Sequence, residues 1–305
     1  MRRLSLSPDL YRRITLVALL SLCAIVVTGA AVRLTGSGLG CSDWPTCEEG
    51  RLGPAEITDA PAMIEFVNRT ITGIVSVAAA VAVLGSLVRR PRRRDLTLLS
   101  WGLVAGVVAQ ILIGAAVVLL HLSPKTVMAH FLVSMVIVWN AVLLHHRAGR
   151  PGGEAVPVVP ERILTLGRVL FAAAAVVVAT GTVVTANGPH AGDEAAERWT
   201  LGIEPAARVH GVSVVVFLVL VLVALRWVHA AAAPPPVQRA GRVLLAVLVA
   251  QAAVGYTQYF TGVPALLVGI HVVGALAVWV AAARFNLVLS QVPATVAPEP
   301  ELVPA

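Results

Sequence analysis

Three histidines, one carboxylate and two cysteines are the residues of this chain with chemistry to offer. His130, His210 and His271 each lie about one turn inside an apolar run, at the same end of it. Glu65, Asn68 and Arg69 stand at i, i+3 and i+4, so they share a helical face. Ionisable groups inside apolar runs are expensive to bury, which makes them functional candidates by default. Two neutral imidazoles on facing helices grip an iron porphyrin from both sides, and His210 and His271 meet that requirement. Arg208, two residues from the first of them, offers a bidentate contact to a porphyrin propionate. A bare metal is the weaker reading, because the surrounding Val, Leu, Ala and Gly bring no further ligands. Close-packed Gly and Ala leave a flat macrocycle room between helices.

The other candidates have plainer readings beside the chemical ones. His145, His146 and His229 sit at helix ends next to Arg, where a solvated interfacial imidazole is the default, and His121 and His190 fall in loops. Glu65 and Arg69 read either as working groups or as an ion pair at the membrane edge. Cys41 and Cys47, close in sequence in a loop on the outer side, read as a disulfide, with two free thiols as the alternative. Zinc wants four ligands and the chain has no second cysteine pair; Cys23, inside an apolar run, reads as packing.

The elements that position these residues come in two copies. Gln110, Gly114 and His130 recur in the same spacing as Gln251, Gly255 and His271. Upstream, Thr28-Gly29 is echoed by Thr180-Gly181, and Val67-Asn68-Arg69 by Val209-His210-Gly211. Asn68 therefore stands where the second copy has a histidine, so the first half holds a haem by His130 alone or in some other way. With 58% hydrophobic and 13% charged residues and a mean hydropathy of +0.86, the chain reads as a membrane protein. Eight apolar runs, near 14–33, 62–88, 96–120, 126–147, 162–184, 204–229, 240–260 and 266–287, are long enough to cross a bilayer. The expected fold is all-α, eight transmembrane helices arranged as two repeated four-helix bundles. Its expected divisions are 1–147 (N-terminal repeat), 148–161 (a Gly- and Pro-rich cytoplasmic linker), 162–287 (C-terminal repeat) and 288–305 (a disordered, Pro-rich tail).

Orientation follows from the arginines. Arg2, Arg3, Arg12, Arg13, the run RRPRRR at 89–94, Arg147, Arg150, Arg162, Arg168, Arg226, Arg239, Arg242 and Arg284 fall on one side. That side is cytoplasmic by the positive-inside rule, which places both termini inside and the chain in a cell membrane. A pI near 10.3 does not point to nucleic acid, since the basic clusters are short loop tags suited to anionic lipid headgroups. The first apolar run, Ile14 to Val32, is longer than the core of a cleaved signal peptide and reads as a retained helix.

At this point the residues resemble the haem A synthase family. The likeness is carried by GAAVRLTGSGLGCSDWPTC at 29–47, EFVNR at 65–69, AHF at 129–131, and the Arg208-Val-His210 and Gly269-Ile-His271 segments, and it covers roughly residues 14 to 287. The resemblance implies an enzyme that oxidises the C8 methyl of haem O to a formyl group by successive hydroxylations and loss of water. It implies a haem b between His210 and His271, a substrate site beside His130, Glu65 as the catalytic carboxylate, Arg69 and Arg208 as cofactor-binding cations, and a paired Cys41 and Cys47. A haem O synthase upstream and cytochrome oxidase assembly downstream are the implied partners. The family pattern Glu-x-x-His-Arg is here Glu65-Phe-Val-Asn68-Arg69. Asn is a poor iron ligand, so a substrate iron held by His130 with no strong second ligand is expected. The rival readings are a b-type electron carrier or a non-catalytic haem-binding protein. A transporter is disfavoured because no run is broken at mid-membrane.

Overall fold

The computed structural model describes residues 5–48 and 50–293. Eight helices follow in order: α1 (Pro8–Leu34), α2 (Ala60–Val88), α3 (Arg94–Leu119), α4 (Pro124–Ala148), α5 (Glu161–Asn187), α6 (Ile203–Ala230), α7 (Pro235–Phe260) and α8 (Ala265–Val288). Each is long and apolar enough to cross a membrane, where only a helix satisfies all its own backbone groups. Large apolar side chains such as Val17, Leu20, Ile74, Leu112 and Val212 are more than half exposed, as a lipid-facing surface requires. The chain is a multi-pass membrane protein.

Local signals set the helix starts. Ser7 caps α1 by accepting the Leu10 N–H at 3.3 Å, Asp59 caps α2 by accepting the Ala62 N–H at 3.2 Å, and prolines occupy the first positions of α1, α2, α4 and α7, where a missing N–H is harmless. α1 and α7 begin earlier than their apolar runs. Tyr11, fully buried, fixes the added turn of α1 through a 2.8 Å hydrogen bond between its hydroxyl and Ser100 on α3.

Helices α1 to α4 close one four-helix bundle and α5 to α8 another, each with its first helix packed against its second and fourth. The bundles meet along α1, α4, α5 and α8. Across that seam Trp279 Nε1 donates to the Met135 carbonyl at 2.8 Å, and the Phe171 ring lies 4.7 Å from Trp279 and 6.1 Å from Trp139, centroid to centroid. On the arginine-rich face, strand β1 (Val156–Pro157) of the linker pairs antiparallel with β2 (Ser290–Gln291). This corrects the start of the tail expected to be disordered from 288: Val288 closes α8, Leu289 is fully buried, and the next two residues are paired. Burial of an apolar Leu at the helix exit holds this stretch in place. Residues 294–305 of that tail lie outside the described residues.

Candidate functional site

In the second half, α6 carries His210 and α8 carries His271, and the centroids of the two imidazole rings lie 6.4 Å apart with ring planes at 73°. His210 Nδ1 is 3.1 Å from Thr180 Oγ1 on α5. Thr180 also lies 3.0 Å from Ser213 Oγ, which donates to the His210 carbonyl at 2.7 Å. Both rings are packed against glycine. A Cβ at Gly181 would lie 3.2 Å from His210 Cε1, and one at Gly255 would lie 3.0 Å from His271 Cε1. Gln251 Nε2 donates to the His271 carbonyl at 2.8 Å and occupies the notch left by Gly274. His271 Nδ1 is sealed from solvent without a hydrogen-bond partner.

The first half repeats half of this. On α4, His130 lies near Gly114, where a Cβ would be 3.5 Å from its Cε1, and its carbonyl accepts from Gln110 Nε2 at 2.9 Å and Ser134 Oγ at 2.9 Å. Its Nδ1 is also sealed and unpartnered. The position across from it differs. Asn68 Oδ1 is buried with no partner, and a Cβ at Gly29, the counterpart of Gly181, would meet nothing within 4 Å. Thr28, Ala31, Val32, Met63, Val67 and Asn68 instead line an open apolar groove of about 330 Å³ between α1 and α2.

Glu65 is 5% exposed and both its oxygens are engaged. Oε2 accepts the Cys41 N–H at 2.9 Å, and Oε1 accepts Arg69 Nε at 3.0 Å and Nη2 at 2.6 Å. Arg69 Nη1 reaches on to the carbonyls of Asp43 at 3.0 Å and Thr46 at 2.9 Å. Cys41 and Cys47 form a disulfide, and both are fully buried beside Ala62. The loop lies so close to the first turn of α2 that a Cβ at Gly40 would fall 2.4 Å from the Pro61 backbone. The ion pair is therefore not a solvated edge pair: it clamps a cross-linked loop onto α2, with Glu65 at the centre. In that loop Asp43 is held below the usual carboxylate range, first by the Trp44 N–H and then by the Thr46 hydroxyl.

Arg208 does not join the histidine pair. It lies two residues from His210, about 200° around the helix, and pairs outward with Glu204, with its side chain 76% exposed. Thr180 and Ser213, which orient His210, had no assigned role in the sequence, although the repeated Thr-Gly dipeptide marked the first of them.

Residues 12–283 match the model of the COX15-CtaA family, described as cytochrome oxidase assembly protein. Among curated relatives, a heme A synthase of Lysinibacillus sphaericus is 38% identical over 128 residues, 42% of this chain and 41% of that protein. One from Exiguobacterium sibiricum is 28% identical over 145 residues, 46% and 48% of the two chains, and one from Listeria welshimeri is 29% identical over 131 residues, 43% of each. The matched stretch spans less than half the length of these relatives. The family match, by contrast, runs from the start of α1 to near the end of α8 and takes in every residue of the two histidine sites, so the chain belongs to the COX15-CtaA family of cytochrome oxidase assembly proteins.

Proposed function

We propose that this chain is a haem A synthase, an oxidoreductase that converts the C8 methyl of haem O to the formyl group of haem A, with a haem b held in its second half by His210 and His271. The observation that carries the reading is the spacing of the two imidazoles. A metal to ring-nitrogen bond of about 2 Å on each side, plus about 1 Å from that nitrogen to each ring centre, calls for centroids about 6 Å apart. They stand at 6.4 Å. Relatives that match 42% and 46% of this chain are named heme A synthase.

Haem b, when bound, supplies a redox-active iron. Thr180 orients the ligand next to it. Its hydroxyl proton has the Val176 carbonyl as acceptor at 2.9 Å, so its oxygen accepts from His210 Nδ1–H, which leaves Nε2 as the ligating nitrogen. Gly181 and Gly255 let the rings approach their neighbouring helices. In the first half His130 takes the substrate iron alone, because the Asn68 amide is a weak ligand, and the apolar groove beside Asn68 accommodates hydrocarbon substituents. Glu65 accepts the proton released at the oxidised methyl, and Arg69 holds its carboxylate in place. Both termini face the cytoplasm of a cell membrane, a haem O synthase supplies the substrate, and cytochrome oxidase receives the product.

A second reading, a haem b protein without catalysis, is favoured by one observation: both Glu65 oxygens are occupied by the loop clamp, and Asn68 replaces a ligand. One experiment separates the two. The chain is expressed with a haem O synthase, and membrane haems are resolved by chromatography and mass, with Glu65→Gln in parallel. Haem A or its hydroxylated precursor, lost in the variant, is the expected result. Haem O left intact beside bound haem b would establish the non-catalytic reading.

A further inference from the structure

We infer that Arg33 is a carboxylate-binding residue that reaches from the first half into the second and holds a propionate of the haem between His210 and His271. The inference rests on the bis-histidine haem proposed above and names the cation that completes its site.

Arg33 lies in the last turn of α1, largely buried. Its Nη2 donates to the Thr185 carbonyl at 2.9 Å, but its Nε is sealed from solvent without any partner. Among the described residues no carboxylate forms an ion pair with it. A guanidinium is always charged, and burying one without an anion is costly. The Thr185 carbonyl is only a dipole, so the charge itself is left uncompensated.

The surroundings of Arg33 identify the missing anion by position. Its Cγ would lie 3.5 Å from a Cβ at Gly192, in the loop after α5, and the next residue, Leu34, packs 3.3 Å from the Cβ position of Gly269 on α8. Thr185 is one turn beyond Gly181, the residue against His210, and Gly269 is two residues before His271. Arg33 therefore sits just outward of both imidazoles, where α1 packs on α8 and the Arg33 side chain reaches α5. Arg198, whose Nη1 donates to the Gly188 carbonyl at 3.1 Å, brings a second positive charge that acts on Arg33. Two cations that act on one another, with no carboxylate ion-paired to either among the described residues, form a receptor for one. A porphyrin seated between His210 and His271 carries two carboxylates on its edge, and a guanidinium binds a carboxylate through paired N–H donors.

The repeat sharpens the point. Aligning Thr28-Gly29 with Thr180-Gly181 puts Arg33 in register with Thr185, the residue whose carbonyl it contacts. The second half's own counterpart, Thr185, brings no charge. The second-half site is thus completed by its neighbour, and loading it ties the two bundles together at their outer seam.

The test titrates the purified full-length apoprotein with haemin and with haemin dimethyl ester, whose propionates are blocked, following the low-spin absorption band. Arg33→Gln should weaken haemin binding by about tenfold or more while leaving the diester within about twofold of wild type, and Arg33→Lys should recover part of the loss. The midpoint potential of the low-spin haem should fall in Arg33→Gln, because a cation favours the reduced iron. Equal weakening for both porphyrins would reduce Arg33 to a packing residue and overturn the inference, as would no weakening for either. A wild-type protein that gives no low-spin haem removes the bis-histidine reading and this inference with it. A low-spin wild type with a variant that does not discriminate removes the inference alone.

Discussion

The two halves of this chain use the same scaffold with different completeness. In the second, His210 and His271 face each other at 6.4 Å, each against a glycine. In the first, His130 keeps its glycine and its glutamine, but Asn68 stands opposite, with its Oδ1 unpartnered beside an apolar groove. The first half instead carries the Glu65–Arg69 pair and the disulfide loop that pair anchors, which the second half lacks. On the proposed function, the difference assigns one member of the duplication to keep a haem and the other to hold one more loosely while it reacts. A site with two strong axial ligands retains its iron; a site with one leaves the opposite face free.

The sharpest break in that comparison is removal of a ligand. His271→Ala or His210→Ala should abolish the low-spin haem, whereas His130→Ala should leave it intact and remove only the second haem, as absorption and haem-to-protein ratio would show. Glu65→Gln comes next. It should reduce methyl oxidation by about a hundredfold or more, the scale of a lost general base, with haem b retained. It should also destabilise the loop clamp by about 2 kcal/mol, measured by thermal unfolding of the purified protein, because Arg69 loses its charged acceptor. A smaller contrast comes from glycine. Gly181→Ala would push on His210, with only 3.2 Å available, and should weaken haem b binding several-fold, while Gly29→Ala has open space and should change nothing. If both alanines behaved alike, the asymmetry between the halves would lose its structural basis.

Two lesser effects concern the loop. Cys47→Ser opens its cross-link and should lower stability by about 2 kcal/mol, seen as a lower unfolding midpoint, without altering the haem b spectrum. The hydrogen bonds that depress the Asp43 carboxyl stabilise the loop while that group is ionised, above its ordinary value of 3.8, and lose their effect as pH falls through the lowered value. The protection of amides in residues 43–47, taken relative to the intrinsic exchange rate at each pH, should thus hold from neutral pH to about pH 4 and fall only below it.

Much of this is legible in the amino-acid sequence. Apolar run length gave eight helices because lipid leaves the backbone no alternative, and the Gln-Gly-His repeat gave the division into two bundles and the histidine depths. What the sequence concealed was rotation. Hydropathy reports how deep a residue lies and says little about which way it faces in a helix apolar all round. Arg208 looked like the haem's cation because it adjoins His210, yet a two-residue step turns it to the far side, where Glu204 waits one turn away. Arg33, distant in sequence, reaches the site through the seam between bundles, a contact no local pattern encodes. Glu65 was visible as a buried carboxylate, but its grip on the Cys41 amide depends on a loop fold that only Gly40 hinted at.

The most direct test of the central claim is the electron paramagnetic resonance spectrum of the protein purified with both haems bound, recorded for wild type and for Asn68→His. The account predicts one low-spin bis-imidazole signal and one high-spin signal in wild type, with the second turning low-spin when the missing imidazole is restored at position 68. Two low-spin bis-imidazole haems in the wild type would contradict it.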